Sequence, residues 1–228
     1  MKTAIDLNSW VRKDHYQFFS QFEEPFFGVT VSIDCTVAYQ FAKEHGISFF
    51  QYYLYQALKA ANLIENFRYR IIDKEIYLFD EVHASPTVPR PDGTFGFSYI
   101  DYSDNETVFY TNATRIIEAV KQASGLIPAV SGENVIHFSA LPWINFTSVS
   151  HARCFSFADS SPKITFGKIV EENGRKLLPV AVHVHHALAD GYHVGLFIEQ
   201  FQTLMNSRVP AQKNLPVPAG PKLTDINK

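Results

Sequence analysis

The amino-acid sequence predicts an α/β fold, a two-layer sandwich in which helices cover a mixed β-sheet. Three observations lead there. Residues 29–35 (VTVSIDC) and 96–102 (GFSYIDY) alternate apolar and polar side chains as half-buried strands do. Residues 49–64 (FFQYYLYQALKAANLI) repeat apolar side chains every three or four positions and carry one charge, Lys59, as a largely buried helix would. The pair Asn173-Gly174 separates two strand-like segments and fits a tight hairpin turn.

The remaining elements follow in order. A helix is expected from about Thr36 to His45, stopped by Gly46, and Ser48 is suited to cap the helix after it. Strands are expected at 67–72 and 76–80, on either side of the turn residues Asp73 and Lys74. The proline-rich stretch 83–93 (HASPTVPRPDG) reads as irregular. Asn105 can cap a helix running to about residue 124, with Ile116, Ile117 and Val120 on one face and Gly125 at its end. Strands are expected at 134–139, 143–149 and 163–170, the last joined through Asn173-Gly174 to KLLPVAVHVH (176–185). An amphipathic helix after Asp190-Gly191 sets Phe197, Phe201 and Leu204 on one side. No repeat or internal linker is visible, so residues 1–207 read as one domain. Residues 208–228 hold four prolines without periodicity and read as a flexible tail.

Bulk properties narrow the function. The chain has 228 residues, 46% of them hydrophobic, enough for a sizeable core. Its 20 Phe and 11 Tyr suit a bulky core and equally a pocket for a flat apolar ligand. A net charge of −3 and no basic stripe argue against nucleic acid as a partner. No run approaches 18 apolar residues and MKTAIDLNSW has no apolar leader, so the expectation is a cytoplasmic protein without a membrane segment. Cys35 and Cys154 are too few and too far apart for a disulfide framework or a zinc site; either could be a nucleophile, but both read first as small buried side chains.

Four of the nine histidines crowd into residues 183–193. His183, His185, His186, Asp190 and His193 all have metal-binding chemistry, but along a strand His183 and His185 share a face and His186 points away from it. Convergence on a metal is therefore poor, and no metal is expected. A structural role is the default for His183, His185 and His193. His186 differs: it stands where the strand ends before the Asp190-Gly191 turn, with the small Ala187 and Ala189 beside it. A strand end holds a base firmly while exposing it to a cleft, and a histidine suits removal of a hydroxyl proton at neutral pH. Asp190 could complete a His–Asp dyad or serve as a buried anion with a cationic partner.

The segment HHALADGYHVGLF (185–197) resembles the active-site signature of the chloramphenicol acetyltransferases, HHAVCDGFH followed by a helix. WVRKDHYQFF (10–19), ALPWINFTS (140–148) and PKITFGK (162–168) resemble further segments of that family, in the same order and at similar spacing. The resemblance covers about residues 5–206 and implies the coenzyme A-dependent acyltransferase fold. It implies transfer of an acetyl group from acetyl-coenzyme A to the 3-hydroxyl of chloramphenicol, which inactivates the antibiotic. His186 matches the general base, Ser148 the hydroxyl that stabilises the oxyanion, and Thr165 a threonine that holds a water. Asp190 matches an aspartate paired with the arginine matched by Arg12, which favours the structural reading of Asp190. Phe19, Phe27 and Phe95 match positions lining the acceptor pocket, and Lys168 a lysine near the coenzyme. The family is a homotrimer with active sites between subunits.

Several departures touch the acceptor side. Phe19 stands where the family often has Tyr, Val149 where it has Phe, and SHARCF (150–155) matches poorly. The alternatives are an acyltransferase with another hydroxyl or amine acceptor, and a non-catalytic trimeric binder of apolar ligands. The shorter pattern HxxxDG also occurs in dihydrolipoamide acyltransferase cores and peptide-synthetase condensation domains. The former usually carry lipoyl segments and the latter are about twice as long as this chain.

Overall fold

A computed structural model describes residues 1–126, 132–153 and 159–207. Cys154 and the expected tail lie outside the described residues. The elements in chain order are β1 (Lys2–Ala4), α1 (Lys13–Phe19), β2 (Phe26–Asp34), α2 (Thr36–Glu44), α3 (Phe49–Leu63) and α4 (Glu65–Arg68). Next come β3 (Tyr69–Ile72), β4 (Glu75–Phe79), β5 (His83–Pro89), β6 (Phe95–Phe97) and α5 (Glu106–Gln122). The order closes with β7 (Val135–Ala140), β8 (Lys163–Phe166), β9 (Val170–Glu172), β10 (Arg175–His185) and α6 (Gly191–Asn206). No helix among the described residues is long and apolar enough to cross a membrane.

The main sheet runs β2-β10-β8-β7-β5-β6, with β9 beside β10. It is mixed, because β5–β7 and β7–β8 are parallel and the other pairs antiparallel. Alternation along each strand gives it two unlike faces. Ile33, Ile136, Phe138, Ile164, Phe166, Val180, Val182 and Val184 are buried against the helices, where Tyr52, Leu58, Phe197 and Phe201 fill the core. The opposite face carries polar side chains. Register sets Ser85, His137, Lys163, His183 and Gly28 in one row across five strands.

Several expectations are met with local causes. Asn105 Oδ1 accepts from the backbone N–H groups of Thr107 and Val108 and starts α5. Asp73, Lys74, Asn173 and Gly174 all have positive φ, which gives each hairpin a turn that matches the strand twist. Other expectations change. Ser48 starts α3 without a side-chain cap. Only residues 90–93 of the stretch 83–93 are irregular: residues 83–89 form β5, an interior strand. Pro86 has no N–H to give, but its carbonyl accepts from Ser98 N and Oγ, so the strand keeps its partners on that side. Residues 143–149 form no strand, and 163–170 is divided at Gly167. A Cβ there would meet Phe146, Pro179 and the Ile144 carbonyl at 3.0–3.1 Å, so a larger residue would have to push its neighbours aside by a few tenths of an ångström. The segment 67–72 begins as α4 before it becomes β3.

A second sheet, β1-β4-β3, flanks the first. Arg70 ties the two together. It is 2% exposed, and its guanidinium donates to the carbonyls of Phe67, Tyr69, Glu133 and Val135. Burial pushes its pKa down to about 9, so it remains charged at neutral pH. Arg70→Met would fill the space and leave these carbonyls without their donor. The expected loss is at least about 3 kcal/mol, seen as a lower urea midpoint at unchanged slope.

Candidate active site

The turn after β10 is held by backbone and side-chain hydrogen bonds at successive residues. His186 N donates to Pro25 O at 2.8 Å, which continues the β2 pairing one step past the strand. The next three carbonyls are each taken. Arg12 Nη2 donates to His186 O at 3.1 Å, Arg12 Nε to Ala187 O at 3.3 Å, and Asn66 Nδ2 to Leu188 O at 2.7 Å. Arg12 Nη1 reaches Asp190 Oδ2 at 2.9 Å. The guanidinium, 7% exposed, thus spends its fork on the turn after β10 and the start of α6 at once.

Asp190 is not a dyad partner of His186. Its Oδ2 faces Arg12, and its Oδ1 accepts from Tyr192 N at 3.0 Å and lies 2.8 Å from His193 Nδ1, capping α6. Burial alone would raise its pKa. The Arg12 hydrogen bond and the neighbouring His193 and Arg12 charges outweigh this and hold it at about 2. His193 is a capping histidine. His185 is structural too: its Nδ1 accepts from Ala187 N at 3.2 Å, and burial pushes its pKa down to about 4, keeping it neutral. Among the described residues no group of three or more His, Cys, Asp or Glu is arranged to hold a metal. Cys35 is fully buried and its thiol is pushed up to about 12, chiefly by burial, so it is no nucleophile.

His186 itself lies between aromatic walls. Phe19 stacks on it with centroids 3.9 Å apart and planes 5° apart, and Phe27 packs at 4.6 Å. Its Nδ1 is buried without a hydrogen-bond partner among the described residues, which leaves Nε2 as the nitrogen open to a hydroxyl. A ring fixed by two phenylalanines on a clamped turn has the rigidity that a general base requires.

The other expected site residues do not all join it. Thr165 is 1% exposed on β8, and register sets it opposite Ala181. His186 lies five residues beyond Ala181, about 16 Å along β10 at the strand rise. Phe95 is on β6, four strands from β10 in sheet order, or about 19 Å at the usual strand spacing. Lys168 follows β8 with its side chain exposed, and Lys168 N donates to Ile144 O. Ser148 is exposed in the loop after β7. Sequence reasoning passed over Ser139. It sits on β7 directly in register with Thr165, half-buried, on the same face. The signal was available in FSALPW (138–143), where a serine ends a strand just before a proline turn. His151 was also missed. Its Nε2 lies 3.3 Å from Thr165 Oγ1.

Helices on one face of a mixed sheet, with a histidine held at a strand end, define a fold shared with coenzyme A-dependent acyltransferases. A solved dihydrolipoamide acetyltransferase from Azotobacter vinelandii superposes with a TM-score of 0.58 at 16% identity, covering 85% of this chain and 86% of that one. The profile of the chloramphenicol acetyltransferase family matches residues 1–202, and the chain belongs to that family. Chloramphenicol acetyltransferase 3 from Escherichia coli is 34% identical over 210 residues, covering 91% of this chain and 98% of that protein. A Bacillus pumilus chloramphenicol acetyltransferase is 30% identical over 207 residues, covering 90% and 94%. A solved chloramphenicol acetyltransferase superposes with a TM-score of 0.84 at 32% identity, covering 90% of this chain and all of that one.

The Arg12–Asp190 pair has a pH signature. Asp190 has a folded pKa of about 2, below the unfolded value of about 3.9. Its stabilisation is therefore complete above about pH 4 and fades as pH falls toward 2. Asp190→Asn, which keeps a capping side chain, should melt lower than the parent at pH 7 and approach it near pH 2. Arg12→Val should cost about 2 kcal/mol or more, because it strands the carboxylate and two carbonyls.

Proposed function

We propose that this chain transfers the acetyl group of acetyl-coenzyme A to the 3-hydroxyl of chloramphenicol, with His186 as general base. The observation that carries the reading is the clamped, aromatic-walled imidazole with its Nε2 open. Nε2 takes the hydroxyl proton as the oxygen attacks the thioester carbonyl. The tetrahedral intermediate then collapses, the C–S bond breaks, and the imidazolium returns its proton to the departing thiolate. The antibiotic leaves as an ester and coenzyme A as a free thiol. A cytoplasmic setting belongs to the same reading, since acetyl-coenzyme A is the donor.

The intermediate needs a donor at its oxyanion. Ser148 is the match suggested by sequence. Ser148 is therefore the first assignment, and Ser139, in register with Thr165 on rigid strands, is the second candidate. Thr165 holds a water on that side, Phe19 and Phe27 wall the acceptor next to His186, Phe95 lines the pocket and Lys168 lies toward the coenzyme. The separation of about 16 Å between His186 and Thr165 along β10 supports a further element, a homotrimer with each site between subunits. In it, one copy supplies His186 and its neighbour supplies Thr165, the serine and Phe95.

Purified protein given both substrates should release free thiol. His186→Ala should fold and lose about 10²–10⁴ of the rate; a near-normal rate would remove the base assignment. Thiol release with another alcohol but none with chloramphenicol would redirect the acceptor. Ser139→Ala and Ser148→Ala separate the two hydroxyls: loss of about 10² in kcat marks the oxyanion donor. Co-expressing His186→Ala with an inactive serine variant should restore turnover, since mixed trimers then contain some intact sites; no recovery would argue for a site within one chain.

A further inference from the structure

The segment 149–153 matches its family poorly, yet it is anchored to the polar face of the sheet at several points. His151 Nε2 lies 3.3 Å from Thr165 Oγ1, and no other hydrogen-bond partner of that hydroxyl is present among the described residues. The His151 ring stands on edge against His183, with centroids 4.8 Å apart and planes at 87°. His183 lies on β10 opposite Gly28, and a Cβ at Gly28 would come within 2.3 Å of its Nε2, so the missing side chain makes the space for that ring. Two residues beyond His151, the Arg153 guanidinium covers Phe26 at 3.7 Å and pairs with Glu24. The loop is thus fixed to β2, β8 and β10, and its one contact with a proposed site residue is the ring nitrogen of His151.

We infer that His151 is a positioning residue, which fixes the hydroxyl of Thr165 for acyl transfer; this rests on the reading of Thr165 as part of the reacting site. A threonine hydroxyl rotates freely unless a partner holds it, and a buried one must satisfy both a proton and lone pairs. A neutral imidazole nitrogen commits one of them and directs the rest at the water or intermediate. Burial, then the neighbouring His183 and Lys163, pushes the pKa of His151 down to about 4, so the ring is neutral at working pH. It therefore meets the hydroxyl without adding a charge beside the oxyanion. Its edge contact with His183 restricts rotation of the ring, which a lone surface histidine would lack.

A double-mutant cycle on the full-length protein tests this. His151→Leu should lower kcat about fivefold to tenfold, the size of one neutral hydrogen bond, with KM for acetyl-coenzyme A unchanged. His151→Gln, whose amide nitrogen can reach the position of Nε2, should recover the rate to within about threefold. In a Thr165→Val background, His151→Leu should cost nothing further, since its route of action is gone. Additive losses, or a His151→Leu enzyme with normal kcat and only a lower melting temperature, would overturn the inference while leaving the role of Thr165 intact. A silent Thr165→Val would overturn both. Should His151→Leu fail to fold, His151→Gln and His151→Asn carry the test: equal loss in the two would overturn it, because Asn cannot extend to Thr165.

Discussion

One guanidinium organises the chemistry of this protein. Arg12 holds the carbonyls of His186 and Ala187 and the carboxylate of Asp190, so a single side chain sets the path of the turn, the entry of α6 and the direction of His186. Among the described residues, the arrangement leaves no carboxylate beside the His186 ring. The charge of Asp190 is spent on Arg12 and on the cap of α6, and the ring is oriented by backbone and by Phe19 and Phe27 instead. Asn66 takes the Leu188 carbonyl, which leaves the turn little freedom to reorient.

The sheet behind this turn divides its labour by face. Its apolar side binds the helices, and its polar side carries the residues with chemistry. Because strand alternation is strict, Ser139, Thr165, His183 and Lys163 share that polar side without further design. The same regularity separates them from His186, since the strand end and the strand middle are several residues apart. The proposed site, which uses both, is for that reason read as shared between copies of the chain.

Much of this was legible in the sequence where the cause is local. The Asn105 cap, the Asn173-Gly174 hairpin and the helix after Asp190 depend on a few adjacent residues, and the structure keeps all three. The Arg12–Asp190 contact spans 178 residues and was legible only through family resemblance. β5 was hidden by its prolines, because propensity counts a missing N–H without knowing that Ser98 serves the carbonyl. The break at Gly167 and the pairing of Ser139 with Thr165 were hidden for a related reason: both are set by what lies on the next strand. His151 lies in a segment that departs from the family pattern, and its contact with Thr165 on another strand has no local signature.

The length of the Arg12–Asp190 loop also fixes a schedule. At ordinary ribosome speeds the second partner emerges about 10–35 s after the first. Through that interval the amino-terminal segment has no turn to grip, and the histidine has not yet been made. A growing chain can form its early hairpin and helices, but the turn after β10 is closed last, by a side chain made near the start. Chains released early lack this clamp, whatever structure they reach.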